Sequence, residues 1–396
     1  METENSGKSS IAALRNVLAL GFVSFFTDIS SEMCFSILPA FILGLSGATR
    51  ATLGLIEGLA EALSYGMRAV SGVISDKLRR RKTIVFVGYA LSNAVKPLFS
   101  VAQTATDALI IRVSDRVGKG VRTSPRDALL SESVSEKRMG AAFGLHRTLD
   151  QLGAILGPVL ASTFMLLLGL TMRDVFWLSF IPGLIALLIL LILVKERVGK
   201  SAGKVRLLEG MGAVLGGSFS LFLLIVGFFS VGAFNFSFVL LKAKEAGVPE
   251  ALIPLVYAVI NVAHTAIAIP AGLLSDKIGK ERVLIMGYVA FLTSALLLSL
   301  PFTNPLYAFF IAVVYGAYIG IVETVQRALV PGYAPSDLRS TAYGVYYLVV
   351  GSAFLIANTT VGALWEYVSL RAAVGYAAMT SMIAITGMVM FLRRGK

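Results

Sequence analysis

Apolar runs about as long as a bilayer is thick follow one another from one end of this chain to the other, and that recurrence limits its folding more than any other feature. A helix crosses a hydrocarbon core of about 30 Å with about 20 predominantly apolar residues. Such runs lie at roughly 14 to 43, 51 to 75, 83 to 103, 106 to 129, 140 to 169, 173 to 194, 213 to 241, 250 to 274, 283 to 301, 305 to 329, 340 to 366 and 371 to 392. Gly, Pro and charge clusters separate them, as expected where helices end. Residues are 56% hydrophobic and only 15% charged, with a mean hydropathy of +0.80, a balance foreign to ordinary soluble domains. The expected fold is therefore an all-α integral membrane protein with twelve transmembrane helices.

The formal net charge of +12 invites comparison with nucleic-acid binders, but its placement argues for topology. With both termini on the cytoplasmic side, basic residues crowd that side's loops, as in the run Arg79, Arg80, Arg81 and Lys82. The opposite side holds only Arg50, Arg173, Lys242, Lys244 and Arg371. This is the positive-inside asymmetry of membrane proteins, so no nucleic-acid partner is expected. The opening METENSGKSS is polar and lacks the order of a signal peptide. The first run is expected to be retained, in a plasma or prokaryotic inner membrane, with lipids as its surroundings and a monomer as the unit. Cys34 is the sole cysteine, which excludes an intramolecular disulfide or a cysteine-held metal cluster.

The chain also repeats itself. SGVISDKLRR at 71 to 80 matches AGLLSDKIGK at 271 to 280, and MGAAFG ending at Gly144 matches STAYG ending at Gly344, both at an offset of 200 residues. Two six-helix halves in the same orientation follow, 1–194 and 213–396, joined by a basic linker over 195–212.

The loop after the second run reads Gly72, then Asp76, Lys77, Arg80, Arg81 and Lys82. It resembles the signature G-x3-D-[RK]-x-G-x-[RK]-[RK] of the major facilitator superfamily, departing from it at Arg79. The second copy keeps the glycine as Gly279 and carries Asp276 and Lys277. The resemblance implies the major facilitator fold, transport by alternating access, and a cytoplasmic gate built from Gly72, Asp76, Lys77, Arg80, Asp276 and Lys277. The fifth run places Gly144, Gly153, Gly157 and Pro158 in a pattern similar to the antiporter motif of drug-proton exporters, with Ala161 and Ser162 at its final glycine pair. That similarity implies export; its physical content is close helix approach and a proline bend.

Charges inside membrane spans are costly and face water or each other. On the fourth run Arg112, Asp115, Arg116, Lys119 and Arg126 recur at three- and four-residue steps, a single polar face. His146, Arg147 and Asp150 follow on the fifth. Asp28 and Glu32 on the first run, and Glu57 and Glu61 on the second, are each four apart. Crowded carboxyls of this kind suit proton coupling, so Asp28, Glu32, Glu57, Glu61 and Asp150 are the coupling candidates and the basic residues with Asp115 and His146 form a cavity charge network. Pairing with the arginines in a purely structural role is the competing reading. The second half is quieter, with Asn235, Asn261, His264, Glu323, Gln326 and Arg327 as candidate solute contacts.

No Walker spacing or histidine-rich site occurs, so enzymatic chemistry and a resident metal or cofactor are not expected; the proton is the coupling ion. The leading expectation is proton-coupled export of a small organic or toxic compound. A metabolite or divalent-metal carrier of the same fold, and a non-transporting receptor or lipid scramblase, stand as alternatives.

Overall fold

A computed structural model describes residues 2–78, 80–135, 138–196, 214–215, 217–301, 304–334 and 339–394, with side chains from Arg15 onward except Val73, Asp76, Arg339, Ser340 and Arg394. Its long elements are helices: α1 Glu2–Phe35, α2 Leu38–Ile42, α3 Arg50–Leu78, α4 Arg81–Val95, α5 Ala105–Glu132, α6 Met139–Leu167, α7 Met172–Leu178 and α8 Phe180–Leu193. The second half continues with α9 Gly217–Ser230, α10 Phe236–Glu245, α11 Ile253–Ile278, α12 Lys280–Leu298, α13 Leu306–Tyr333, α14 Arg339–Tyr367 and α15 Leu370–Arg394.

Among the described residues, nine helices are long and apolar enough to cross a membrane by length and composition. The other three expected spans depart from that pattern for visible reasons. Both α3 and α5 are long, 29 and 28 residues, but their charged faces make them polar. The seventh span is interrupted after α9 at Val231 to Asn235, and α10 restarts where the Asn235 side chain accepts from the Ser237 amide. Two further spans are segmented beside prolines. Pro39 removes the donor that Phe35 would need, and Pro182 the one that Leu178 would need.

The 200-residue repeat is carried into helix packing. Gly120 of α5 meets Ser64 and Met67 of α3, and Gly320 of α13 meets His264 and Ile267 of α11. Gly72 lies against Ser124, and Gly272 against Thr324. Each pair of contacts is related by an offset of 200, so the same small-residue positions set the same helix approach twice.

Packing divides the chain into two compact units whose boundaries differ from the sequence halves. One comprises Met1–Phe35, Leu63–Ala102 and Thr106–Val205; the other comprises Ser36–Ala62, Gln103–Ala105 and Arg206–Lys396. In the first unit Val17, Leu20, Val23, Val85, Leu129, Leu130, Ala186 and Leu190 form one buried core. In the second, the start of α3 packs directly on α14: a Cβ at Gly54 would run into the Asn358 carbonyl, and one at Gly58 would come within 3.0 Å of Leu355. Arg50 holds this seam, 2.7 Å from Glu245 and 3.1 Å from Glu366. The linker lies outside the described residues from 197 to 213.

Candidate functional site

The polar groups of the first unit gather where α1, α4, α5 and α6 meet. Close approach of α1 and α6 depends on glycine: a Cβ at Gly153 would strike the Phe25 carbonyl, and one at Gly157 would stand 2.7 Å from the Ile29 carbonyl and 3.2 Å from the Glu32 Cβ. Gly144 faces open space, so only the later glycines of the antiporter-like run act in packing; Pro158 sits buried within α6.

This seam brings the carboxyls of Asp28 of α1 and Asp150 of α6 beside each other. Asp150 also accepts from Arg147 Nη1 at 2.8 Å. Glu32 adds a second like charge beside Asp28, and Lys119 of α5 opposes it. One turn away, Ser24 is a hub: its Oγ lies 2.9 Å from His146 Nε2, 3.2 Å from Tyr89 Oη and 3.4 Å from Arg126 Nη1. Arg126 is anchored in turn by Asp127 at 2.8 Å.

A second cluster lies farther toward the N-terminus of α5. Arg112 and Arg116 both lie on the Phe35 ring, at 3.9 and 4.8 Å from its centroid. Asp115 accepts from Ser92 at 2.5 Å and lies 3.7 Å from Arg112. The fully buried Lys96 donates to Ser31 and Asn93 at 2.9 and 2.8 Å. Arg122 packs on Tyr89 at 4.3 Å. The sequence reading missed Lys96, Arg122, Tyr89 and Ser92; a lysine within the third run and an arginine on the polar face of the fourth were the available signals.

Not every candidate joins these clusters. Glu57 is buried in Ser36–Ala62 and Glu61 lies in the same segment, hence in the other unit from Asp28. In the second half, Asn235 caps α10 and its amide donates to Asn358 Oδ1 at 2.8 Å. Gln326 links Tyr288 and Tyr346 at 3.0 and 2.9 Å. Arg327 pairs with Glu323 at 3.1 Å, while Asn261 is buried and His264 partly so on α11.

At the loops, Gly279 adopts φ 102°, a backbone conformation suited to glycine, and links α11 to α12. Asp276 and Lys277 are exposed, as are Lys77 and Arg80; the Asp76 side chain and Arg79 lie outside the described residues. Glu196 accepts from the Arg81 and Lys82 amides at the start of α4, and Arg81 pairs with Glu132 at 2.8 Å. Among the described residues no group of three or more His, Cys, Asp or Glu converges on a metal site.

The sequence matches the Major Facilitator Superfamily over residues 20–357 and 220–396. It is 36% identical over 358 residues to an uncharacterized MFS-type transporter of Methanocaldococcus jannaschii, covering 89% of each chain. Among solved structures, a variant of the nucleoside transporter NupG superposes with a TM-score of 0.81 at 12% identity, covering 96% of this chain and 100% of that one. A POT family transporter in complex with 5-aminolevulinic acid gives 0.77 at 15% identity, with 96% and 95% covered. At these identities the two structures speak for the fold alone. Together with the membrane-spanning helices, the family match makes this a multi-pass membrane transporter and not an enzyme, and the chain belongs to the Major Facilitator Superfamily.

Proposed function

We propose that this protein is a proton-coupled secondary transporter that exports a small organic compound by alternating access. The observation that carries the reading is the Asp28–Asp150 contact across the α1–α6 seam. Ionised carboxylates only accept hydrogen bonds, so two of them in contact hold a proton between them. When that proton leaves, two like charges face each other on different helices, and the repulsion favours a different arrangement of α1 and α6. Arg147 and Lys119 limit the cost by opposing Asp150 and Asp28 respectively. Beside the pair, one turn away on α1, Ser24 joins His146 and Tyr89 in a separate hydrogen-bonded group. Export is supported by the antiporter-like run on α6, whose Gly153 and Gly157 form this same seam.

In this reading the segments around Asp76 and Asp276 act as gate elements, and the Arg50 pairs with Glu245 and Glu366 secure the start of α3 against α14. Transport in sealed liposomes under an imposed pH gradient, screened with cationic dyes, organic anions and divalent metals, tests the proposal. Gradient-driven movement of an organic compound is expected. Movement of every active probe at a rate indifferent to the gradient would remove proton coupling, and movement of metals alone would replace the organic solute.

A further inference from the structure

Among the described residues of the first unit, the buried Lys and Arg side chains are Lys96, Arg112, Arg116 and Arg122, and the buried carboxylates are Glu32 and Asp115. Base therefore exceeds acid in this interior. Such a surplus is costly in a low dielectric unless an opposite charge joins it. Neither Lys96 nor Arg122 faces lipid. Lys96 is turned by about 180°, 140° and 160° from the exposed Val87, Leu91 and Leu98, and Arg122 by about 120° from the exposed Ile110, at 100° per residue.

These two bases approach each other from antiparallel helices. Gly88 packs on Gly118 and Arg122, whereas Ser92 meets Gly118 and Asp115, so α4 and α5 run in opposite directions. Helical side chains lean toward the N-terminus of their own helix, which carries Lys96 back toward Ser92 and Arg122 back toward Gly118. Their charges act on each other. Hydrogen-bond donors are in excess here. An ammonium has three N–H donors, and Lys96 uses two, on Ser31 and Asn93 at 2.9 and 2.8 Å. Ser31 accepts in that contact, which leaves its own O–H to donate. Arg122 lies on the Tyr89 ring at 4.3 Å, and its Nε and Nη1 are buried without a hydrogen-bond partner. Asp115 is turned elsewhere: its Oδ1 accepts from Ser92 at 2.5 Å and its Oδ2 stands 3.7 Å from Arg112.

The internal repeat supplies a control. Gly287 of α12 packs on Val322 of α13 as Gly88 packs on Arg122, at offsets of 199 and 200 residues. In the same registers Ala295 stands for Lys96, Ala312 for Arg112 and Gly316 for Arg116, all buried. The second half thus fills these positions without charge, so helix packing alone does not call for the bases of the first.

We propose that Lys96, Arg122 and Ser31 bind a small monovalent inorganic anion of the size of chloride, enclosed by α1, α4 and α5. An ion that only accepts hydrogen bonds matches groups left only to donate, and its charge offsets part of the surplus. Close approach of α4 and α5, where a Cβ at Gly88 would lie 2.7 Å from the Gly118 carbonyl, selects a compact ion over an organic acid. The inference is independent of proton coupling.

Purified full-length protein in detergent at neutral pH tests it, with sodium chloride exchanged for sodium gluconate at equal ionic strength. The wild-type unfolding midpoint is expected to rise by about 3 °C or more in chloride and then saturate, as for an ion that binds the folded state. Lys96→Met and Arg122→Gln should each abolish the rise. Equilibrium dialysis with radiolabelled chloride reads the wild type alone, and retained chloride is expected there whether or not the variants fold. No retained chloride, or a wild-type midpoint indifferent to chloride, overturns the proposal. So does a rise that persists in either folded variant, which is the mark of a general salt effect.

Discussion

Buried charge in this protein has two physical characters, and individual residues distinguish them. Asp115 is enclosed by Ser92, Arg112, Arg116 and Lys96, where its negative charge balances several bases. Removing one partner from such a set leaves an uncompensated buried charge, which costs about 3 to 5 kcal/mol. Asp115→Asn should therefore lower the unfolding midpoint markedly in detergent, whether or not solute or a pH gradient is present; an unchanged midpoint would show that this charge is dispensable for packing. Asp28 meets another acid instead, so its substitution should affect coupling more than folding. The sequence brought the acids and arginines of α1, α5 and α6 into view because three- and four-residue spacing places them on helix faces. It offered no means of pairing Arg50 with Glu245 and Glu366, which lie 195 and 316 residues away along the chain. Lys96 was hidden for a related reason: Asn93 lies three residues before it, but its other partner, Ser31, belongs to a different run.

Helix contacts separate the glycines that act from those that only match a pattern. Gly153 and Gly157 allow α6 to reach the α1 backbone, whereas at Gly144 nothing lies within 4 Å of where a Cβ would stand. Overpacking a tight contact typically costs about 1 to 3 kcal/mol. Gly153→Val should fall in or above that range and impair transport by forcing apart the seam that holds Asp28 to Asp150. Gly144→Ala should be neutral or slightly stabilising through better helix propensity. Unfolding midpoints and transport rates of the two variants check this, and equal effects would contradict the packing account. Most helix positions were legible from apolar run length. The break in the seventh span was not, because 231–234 lacks any polar side chain and only the Asn235 cap reveals the restart.

For the molecule as a whole, the duplication legible in two short motifs proves to organise helix packing, down to the paired contacts of Gly120 and Gly320. Chemistry is distributed unevenly over this repeat. The first unit concentrates buried charge, and the second half's described spans hold aromatic rings together with the Glu323–Arg327 pair. The assignment of Ser36–Ala62 to the second packing unit was not legible, since backbone contact between α3 and α14 joins residues some 300 positions apart and leaves no local periodicity. In the proposed mechanism, solute movement is tied to a proton held between Asp28 and Asp150. Its most direct measurement is proton flux, read by a pH-sensitive dye trapped in proteoliposomes while solute is transported by the wild type and by folded Asp28→Asn. Proton movement opposite to the solute in the wild type, abolished in Asp28→Asn, is the predicted result. Solute transport without proton movement, or the same proton-to-solute ratio in both proteins, would contradict the account.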